Sequence, residues 1–402
     1  MRPEAASVVC VAFPTAIPGV YDYRIPARLS GRVVEGTPVL VEVKSRRLWG
    51  MAIRLKHRSE HPRLKEVLDV RQGMKPEAFR SHIALYEWIA SYYQCELGSV
   101  FRPFVRKGLL RTRPKEEAVL RFAGAVPEGL TAGQREAARK VAECSEEVTR
   151  AELIRRCDVS AHMVDKLSAL GVLKRGTRTV LRLPEEFSMR PVAHDVTLTP
   201  EQRNVLEAMR HRFDSPDRPF LLHGVTGSGK THIYIELVRH ALARGKGAIV
   251  LVPEISLTAQ TIQRFAGAVG DTIAVMHSHM SDGERRDNLD ELIAGRKRVV
   301  IGARSAILAP LADPGLIVVD EEHDGSYKQN DPEPRYHARD VAVMRGKLQG
   351  ALVVLASATP CLESYHNART GKFALADLPH RYGEGRLPKV HVVDMNEEHR
   401  QN

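Results

Sequence analysis

The stretch LLHGVTGSGKTHIYIEL, residues 221–237, decides how the rest of the chain is read. Gly224, Gly229, Lys230 and Thr231 stand in the spacing G-x-x-x-x-G-K-T, with an apolar run that reads as a strand before them and a helical pattern after. Glycines at these positions, Gly227 among them, let backbone N–H groups curl around phosphate oxygens. Lys230 then sets a point charge against the β- and γ-phosphates, and Thr231 offers a hydroxyl to Mg²⁺. The cofactors expected are ATP and Mg²⁺.

A second stretch completes this chemistry. In LIVVDEEH, residues 316–323, Asp320 follows a strand and is expected to hold the Mg²⁺ shell with Thr231, while Glu321 polarises the attacking water. Lys230, Asp320 and Glu321 are therefore the catalytic candidates. Gln202, upstream in TLTPEQRNVLEAM, stands where ATPases of this kind often read adenine. The loop after DEEH holds Tyr327, Lys328, Arg335, Tyr336 and Arg339. These are flat rings beside cations, fit to touch something long, flat and negatively charged.

Around these stretches the organisation follows from periodicity. RPFLLHG, GAIVLVPE, TIAVMH, RVVIGA, LIVVDEEH and ALVVLASATP are short unalternating runs, as strands covered on both faces are, so residues 193–402 read as a parallel α/β lobe. Residues 1–108 read as a small β-rich domain, with strands in SVVCVAF, YDYRIP, TPVLVEV and WGMAIRL. A helix over 77–98 with the stripe Ile83, Leu85, Tyr86, Ile89 and Tyr93 follows, closed by Gly98 and Pro103. Residues 109–192 give the outline of a winged helix. One helix ends near Cys157, and Ser160 caps a second with the stripe Met163, Val164, Leu167 and Leu170. Gly171 stops that helix before a wing. Docking of DNA and docking of protein both stay open for this module. PEEFSMRPVAHD, residues 184–195, reads as a linker.

Charge is unevenly placed in the 402-residue chain. Residues 1–115 hold 21 Lys and Arg against 10 Asp and Glu, and the remainder holds 39 against 39. A basic first quarter points to a polyanion there, nucleic acid before membrane, with a merely soluble basic surface as the other reading. The five cysteines are scattered, in neither a disulfide nor a zinc spacing. No apolar run long enough to span a membrane and no targeting segment is seen, so the expected location is the cytoplasm, beside the nucleoid.

In this order the motifs resemble those of the PriA family, the bacterial replication-restart helicases (primosomal protein N′) of superfamily 2. The residues that carry the resemblance are GVTGSGKTHIY, LVPEISLT (251–258), GARSAILAP (302–310), DEEHDGSYKQNDPEPRYHARDVAVMRG (320–346), LASATPCLE (355–363) and VYDYRIP (20–26). The resemblance implies a RecA-like P-loop lobe whose loop after DEEH senses single-stranded DNA, with His323, Ser357 and Thr359 relaying that to the ATP site. It further implies an N-terminal pocket for the 3′ end of a nascent strand, formed by Tyr21, Asp22 and Tyr23 with Lys65 assisting. Where many relatives have PFG, this chain has VEVKSRR (41–47), and Pro334 stands at a position that is aromatic in many. A restriction-type translocase of the same superfamily fits the long loop less well.

The function so implied is binding of stalled or abandoned forks, 3′ to 5′ unwinding by ATP, and reloading of the replicative helicase. Forked and single-stranded DNA and primosome, helicase-loading and single-strand-binding proteins would be the partners, with no membrane. The chain reads as ending with the first helicase lobe, at RLPKVHVVDMNEEHRQN. The second lobe with its arginine finger, and the zinc segment expected there, would then be missing. The alternative is thus a non-enzymatic fork-binding and recruitment module, and the chain alone is expected to hydrolyse ATP poorly.

Overall fold

The computed structural model describes residues 7–15, 17–71, 76–104, 115–144, 146–180, 197–278 and 280–383. The expected linker at 184–195 and the closing stretch at 386–402 lie outside the described residues.

Strands β1 (Val8–Ala12), β2 (Val20–Arg24), β3 (Pro38–Val43), β4 (Arg46–Lys56) and β5 (Val67–Val70) form an antiparallel sheet in the order β2-β1-β4-β3-β5. Its inner face buries Val9, Val11, Phe13, Tyr23, Val39 and Val41. Lys44 and Ser45 make the two-residue turn between β3 and β4, Val43 pairing with Arg46. Lys44 adopts φ 54°, the left-handed region that glycine occupies most readily.

Helices α1 (Glu77–Arg80), α2 (Ile83–Tyr92) and α3 (Leu97–Phe104) follow. The single helix expected over 77–98 is broken twice, between Arg80 and Ile83 and again at Tyr93 and Gln94, the latter at φ 50°, before α3 begins at Leu97. Gly98 and Pro103 do not close it; both lie within α3. Gly98 is there for proximity, since a Cβ at residue 98 would lie 1.7 Å from Phe13 O.

The next unit contains β6 (Lys115–Phe122), α4 (Ala132–Ala142), β7 (Val148–Thr149), α5 (Arg150–Cys157), α6 (Ala161–Ala169) and β8 (Leu173–Val180), with its sheet ordered β7-β6-β8. Thr149 and Glu152 form a reciprocal capping box on α5, and Ser160 accepts from Met163 N to start α6. Val164 and Leu167 are buried as the stripe requires. Leu170 is instead 42% exposed, because Gly171 at φ 75° turns the chain there.

The largest unit carries α7 (Pro200–His211), β9 (Phe220–Gly224), α8 (Lys230–Ala243), β10 (Gly247–Leu251), α9 (Ala259–Val269), β11 (Ile273–Met276) and α10 (Asp282–Ala294). It continues with β12 (Val299–Gly302), β13 (Pro314–Val319), α11 (Ala338–Gln349), β14 (Leu352–Ser357), α12 (Leu362–Arg369) and β15 (Ala374–Leu378). Seven parallel strands run in the order β11-β12-β10-β13-β14-β9-β15. β13 and β14 are buried at every residue, which explains the aliphatic runs at 316–319 and 352–355 within them.

The first and last units share one core. Phe79, Ile83, Tyr86 and Ile89 pack with Ile307, Leu308, Tyr336 and Val341. At that seam Arg345 is fully buried. Its guanidinium donates to Ile307 O, to Leu311 O (3.1 Å), to Gln349 Oε1 (2.7 Å) and to buried His82 Nε2 (2.6 Å). Burial pulls its pKa down to about 9.

Candidate functional site

The phosphate loop springs from the carboxyl end of β9 and runs into α8. Gly227 at φ 82° and Gly229 at φ 79° supply the left-handed turns that curl it. A Cβ at residue 224 would come within 2.7 Å of Ser228 Oγ, and one at residue 229 within 2.4 Å of Gln202 Nε2. Lys230 Nζ donates to Gly224 O at 2.9 Å and stands 4.0 Å from Glu321 Oε1. Thr231 and Asp320 line one small cavity of about 70 Å³ together with Tyr234.

In the sheet order β13-β14-β9, the strand that ends before Asp320 and the strand that ends at Gly224 are separated only by β14. Asp320 is held from a side that the motifs do not mention. Tyr234, one turn into α8, donates its hydroxyl to Asp320 Oδ1 at 2.8 Å. Burial raises the Asp320 pKa, and the hydrogen bond from Tyr234 only partly counters this. Glu321 sits at φ 44°, which turns its carboxylate toward Lys230 and to 3.6 Å from His323 Nδ1.

One hydroxyl and one buried carboxylate facing a common cavity suit Mg²⁺, which keeps most of its shell for water and phosphate oxygens. Among the described residues no group of three or more His, Cys, Asp or Glu could hold a metal by itself. Protonating Asp320 would remove the metal's carboxylate. Binding of the Mg²⁺ nucleotide is therefore expected to weaken as pH falls through the raised pKa, while magnesium-free nucleotide binding changes less. Calorimetric titrations from neutral to mildly acidic pH check this. The linkage for the free protein has the opposite sign: a folded-state pKa above the unfolded one means Asp320 costs stability at neutral pH, and the cost is relieved on acidification.

Gln202 does not stand ready to read a base. It is 1% exposed, its Oε1 accepts from Thr199 N at 2.9 Å, and its Nε2 donates to Ser228 O at 2.8 Å. Both ends of the amide are committed, so it braces the phosphate loop. The cavity beside it, about 310 Å³, is also lined by His380, Arg381 and Tyr382. These arrive because β15 returns next to β9, with Tyr382 N donating to Gly227 O at 2.8 Å.

The loop after DEEH corrects the expectation for its rings. Tyr327 is fully buried, its hydroxyl donating to Asp320 O at 2.6 Å, and Tyr336 is 2% exposed with its hydroxyl toward Arg304 O. Neither ring can stack a base from the core. Arg339 is likewise turned inward to Glu322 Oε2 (3.2 Å), Asp340 Oδ1 (3.2 Å) and Cys361 Sγ (2.6 Å). Lys328 and Arg335 are exposed, as phosphate contacts require. His323 does meet Ser357, Nδ1 to Oγ at 2.7 Å, while its Nε2 stands 3.5 Å from Thr359 Oγ1.

Glu322, which sequence reasoning passed over, is the buried hub of this corner. Fully buried, it accepts from Cys361 N (2.8 Å), Ser364 Oγ (2.8 Å) and Arg339. No signal distinguishes it from Glu321 in sequence, because the two differ only in which way a turn points them.

In the first sheet, Tyr21, Asp22, Tyr23, Lys44 and Lys65 all line one open cavity of about 1240 Å³. Tyr21 is 42% exposed and lies tilted against Phe13, ring centroids 6.0 Å apart, whereas Tyr23 is buried in the core. The Asp22 carboxylate is already engaged by Lys56 Nζ (3.2 Å), Ser59 Oγ (2.7 Å) and Cys10 Sγ (3.1 Å). Burial pushes its pKa up, but the hydrogen bonds from Ser59, Cys10 and Lys56 outweigh that and leave it lowered. Lys65 Nζ bonds Glu42 and, at 2.7 Å, Lys44 O, so it pins the hairpin turn at the cavity rim.

Comparison with known proteins places these features together. Residues 9–106 match the family model described as the 3′DNA-binding domain (3′BD) of PriA, and residues 195–361 match the model for the type III restriction enzyme, res subunit. The replication restart protein PriA of Chlamydia muridarum is 35% identical over 396 residues, 94% of this chain and 52% of that protein. The PriA of Bacillus subtilis is 43% identical over 293 residues, 73% of this chain and 34% of that protein. The chain belongs to the PriA family. It spans about half the length, or less, of these PriA relatives. Within the PriA match, the cavity of the first sheet and the phosphate loop fall in separate family models, and the unit at 115–180 falls between them. Among the described residues no helix is long and apolar enough to cross a membrane.

Proposed function

We propose that this chain binds Mg²⁺ and ATP at the phosphate loop and DNA at the first sheet and the loop after DEEH, as part of a replication-restart helicase. In the whole protein, ATP binding and hydrolysis drive 3′ to 5′ unwinding of stalled forks and promote reloading of the replicative helicase. Primosome, helicase-loading and single-strand-binding proteins are its partners. Lys230, Asp320 and Glu321 serve hydrolysis, with Gly224, Gly227, Gly229 and Thr231 around the phosphates. Residues 1–108, 109–192 and 193–402 act as end-binding domain, winged helix and first helicase lobe.

The observation that carries this reading is the hydrogen bond from Tyr327 to Asp320 O, which ties the exposed loop carrying Lys328 and Arg335 to the strand end that would hold Mg²⁺. When ATP is bound, Mg²⁺ would neutralise charge developing on the transferred phosphoryl group. The protein's own part is to position the phosphates with loop N–H groups and Lys230, and to set Glu321 beside Lys230 for an attacking water. Capture of a 3′ end is served by the open ring of Tyr21, while a terminal phosphate would add bulk and charge at a wall where the Asp22 and Glu42 carboxylates already hold Lys56 and Lys65.

Two titrations test this. A fork ending in a 3′-hydroxyl should bind about tenfold more tightly than one ending in a 3′-phosphate, the effect of one charged contact of roughly 1.5 kcal/mol. Equal affinities, or indifference to Tyr21→Ala, overturn end capture. A fluorescent ATP analogue should bind more tightly when the fork is present, and no effect of the fork overturns the linkage between the two sites.

A further inference from the structure

The rings of the loop after DEEH are buried, yet an open aromatic surface lies directly against that loop, on α2 of the N-terminal unit. Tyr92 is 62% exposed and stacks on Trp88, centroids 4.9 Å apart and planes at 20°. Tyr93 meets Tyr92 edge to face at 4.9 Å, and Lys328 Nζ lies 5.4 Å from the Tyr93 ring centroid. Lys328 in turn donates to Arg335 O at 2.6 Å, which joins it to the stretch bearing the exposed Arg335.

We propose that Trp88 and Tyr92 form a stacking platform for a base of single-stranded DNA, with Lys328 and Arg335 meeting the flanking phosphates. An exposed tyrosine ring held in place by stacking on half-buried Trp88, beside cations from another element, is what sequence-tolerant single-strand binding needs. The open ring face takes a base and the charges follow the backbone. A protein partner would be served as well by an aliphatic patch and has no use for the cations; the charge complementarity selects a polyanion.

The platform also has a route to the nucleotide site. Tyr93 OH accepts from His337 N at 3.1 Å, and His337 caps α11 at the far end of the loop whose near end bonds Asp320 O through Tyr327. A base seated on Tyr92 would therefore press on a loop that is anchored at both ends.

This inference rests on the reading above that the chain binds single-stranded DNA, and the experiment separates the two. The probe is a fluorescein-labelled oligothymidylate carrying one internal 2-aminopurine, titrated with the whole chain. Native protein should bind it and quench the 2-aminopurine. Tyr92→Ala should lose between about 5-fold and 100-fold in affinity, the range for one stacked base, and abolish the quench. Tyr92→Phe, which keeps the ring, should retain both. Lys328→Ala should lower the slope of affinity against salt. If native protein binds with quenching and Tyr92→Ala does the same, the platform is refuted and strand binding stands. If native protein does not bind the strand, both fall.

Discussion

Replacing Lys230 with alanine is expected to weaken binding of the Mg²⁺ nucleotide by about a hundredfold, the effect of losing a charge-assisted contact of roughly 3 kcal/mol. In the free protein Lys230 is folded back on Gly224 O and faces Glu321 from 4.0 Å, so its ammonium is held where a β- or γ-phosphate would displace the carbonyl. The substitution removes that charge but leaves the glycine turns, Gln202 and Tyr234 in place. Fork affinity and thermal stability should therefore stay close to native. Equilibrium binding of a fluorescent ATP analogue, with fork binding measured in parallel, checks both. A nucleotide affinity within a factor of about three of native would mean that the loop does not use its lysine on phosphate.

Arg345→Ala is expected to cost roughly 2 to 5 kcal/mol of stability, because each buried acceptor left without its donor costs about 1 to 3 kcal/mol. The truncation leaves Ile307 O and Leu311 O without this donor in an apolar seam and removes one of the partners of buried His82. Arg345→Lys should recover little, because one ammonium on a flexible stem does not reproduce a planar fork bonding four acceptors. Urea denaturation followed by the tryptophan signal measures the loss. A change below about 1 kcal/mol would show that water or repacking satisfies those carbonyls.

Much of the fold can be read directly from local pattern. The phosphate loop is legible because its chemistry demands glycines at fixed spacing. Six of the seven strands of the large sheet are legible because burial on both faces leaves aliphatic runs, whereas the edge strand β15, with Asp377 and exposed Leu375, carries no such run. The cap at Ser160 and the left-handed stop at Gly171 are legible because each solves a local backbone problem.

What escapes is set by distant contacts. Tyr327 and Tyr336 have the composition of an exposed recognition loop, and their burial follows from Ile307, Leu308 and α2 packing over them. Arg339 reads as a phosphate contact until Glu322 and Cys361 are seen to enclose it. Gln202 has the right position in the chain, but its amide is used up by its own helix cap and by Ser228 O. In each case a polar or aromatic side chain was read by what it can do, whereas tertiary neighbours decide what it does.

The contact at Gly98 carries a mechanical consequence. Where helix α3 crosses Phe13 there is no clearance for even one added carbon, so the two surfaces cannot slide and must travel together. The same helix reaches the far side of the seam, where Arg102 grips Glu333 O at 3.1 Å. A displacement of the first sheet would thus be passed through α3 toward the segment between Tyr327 and His337.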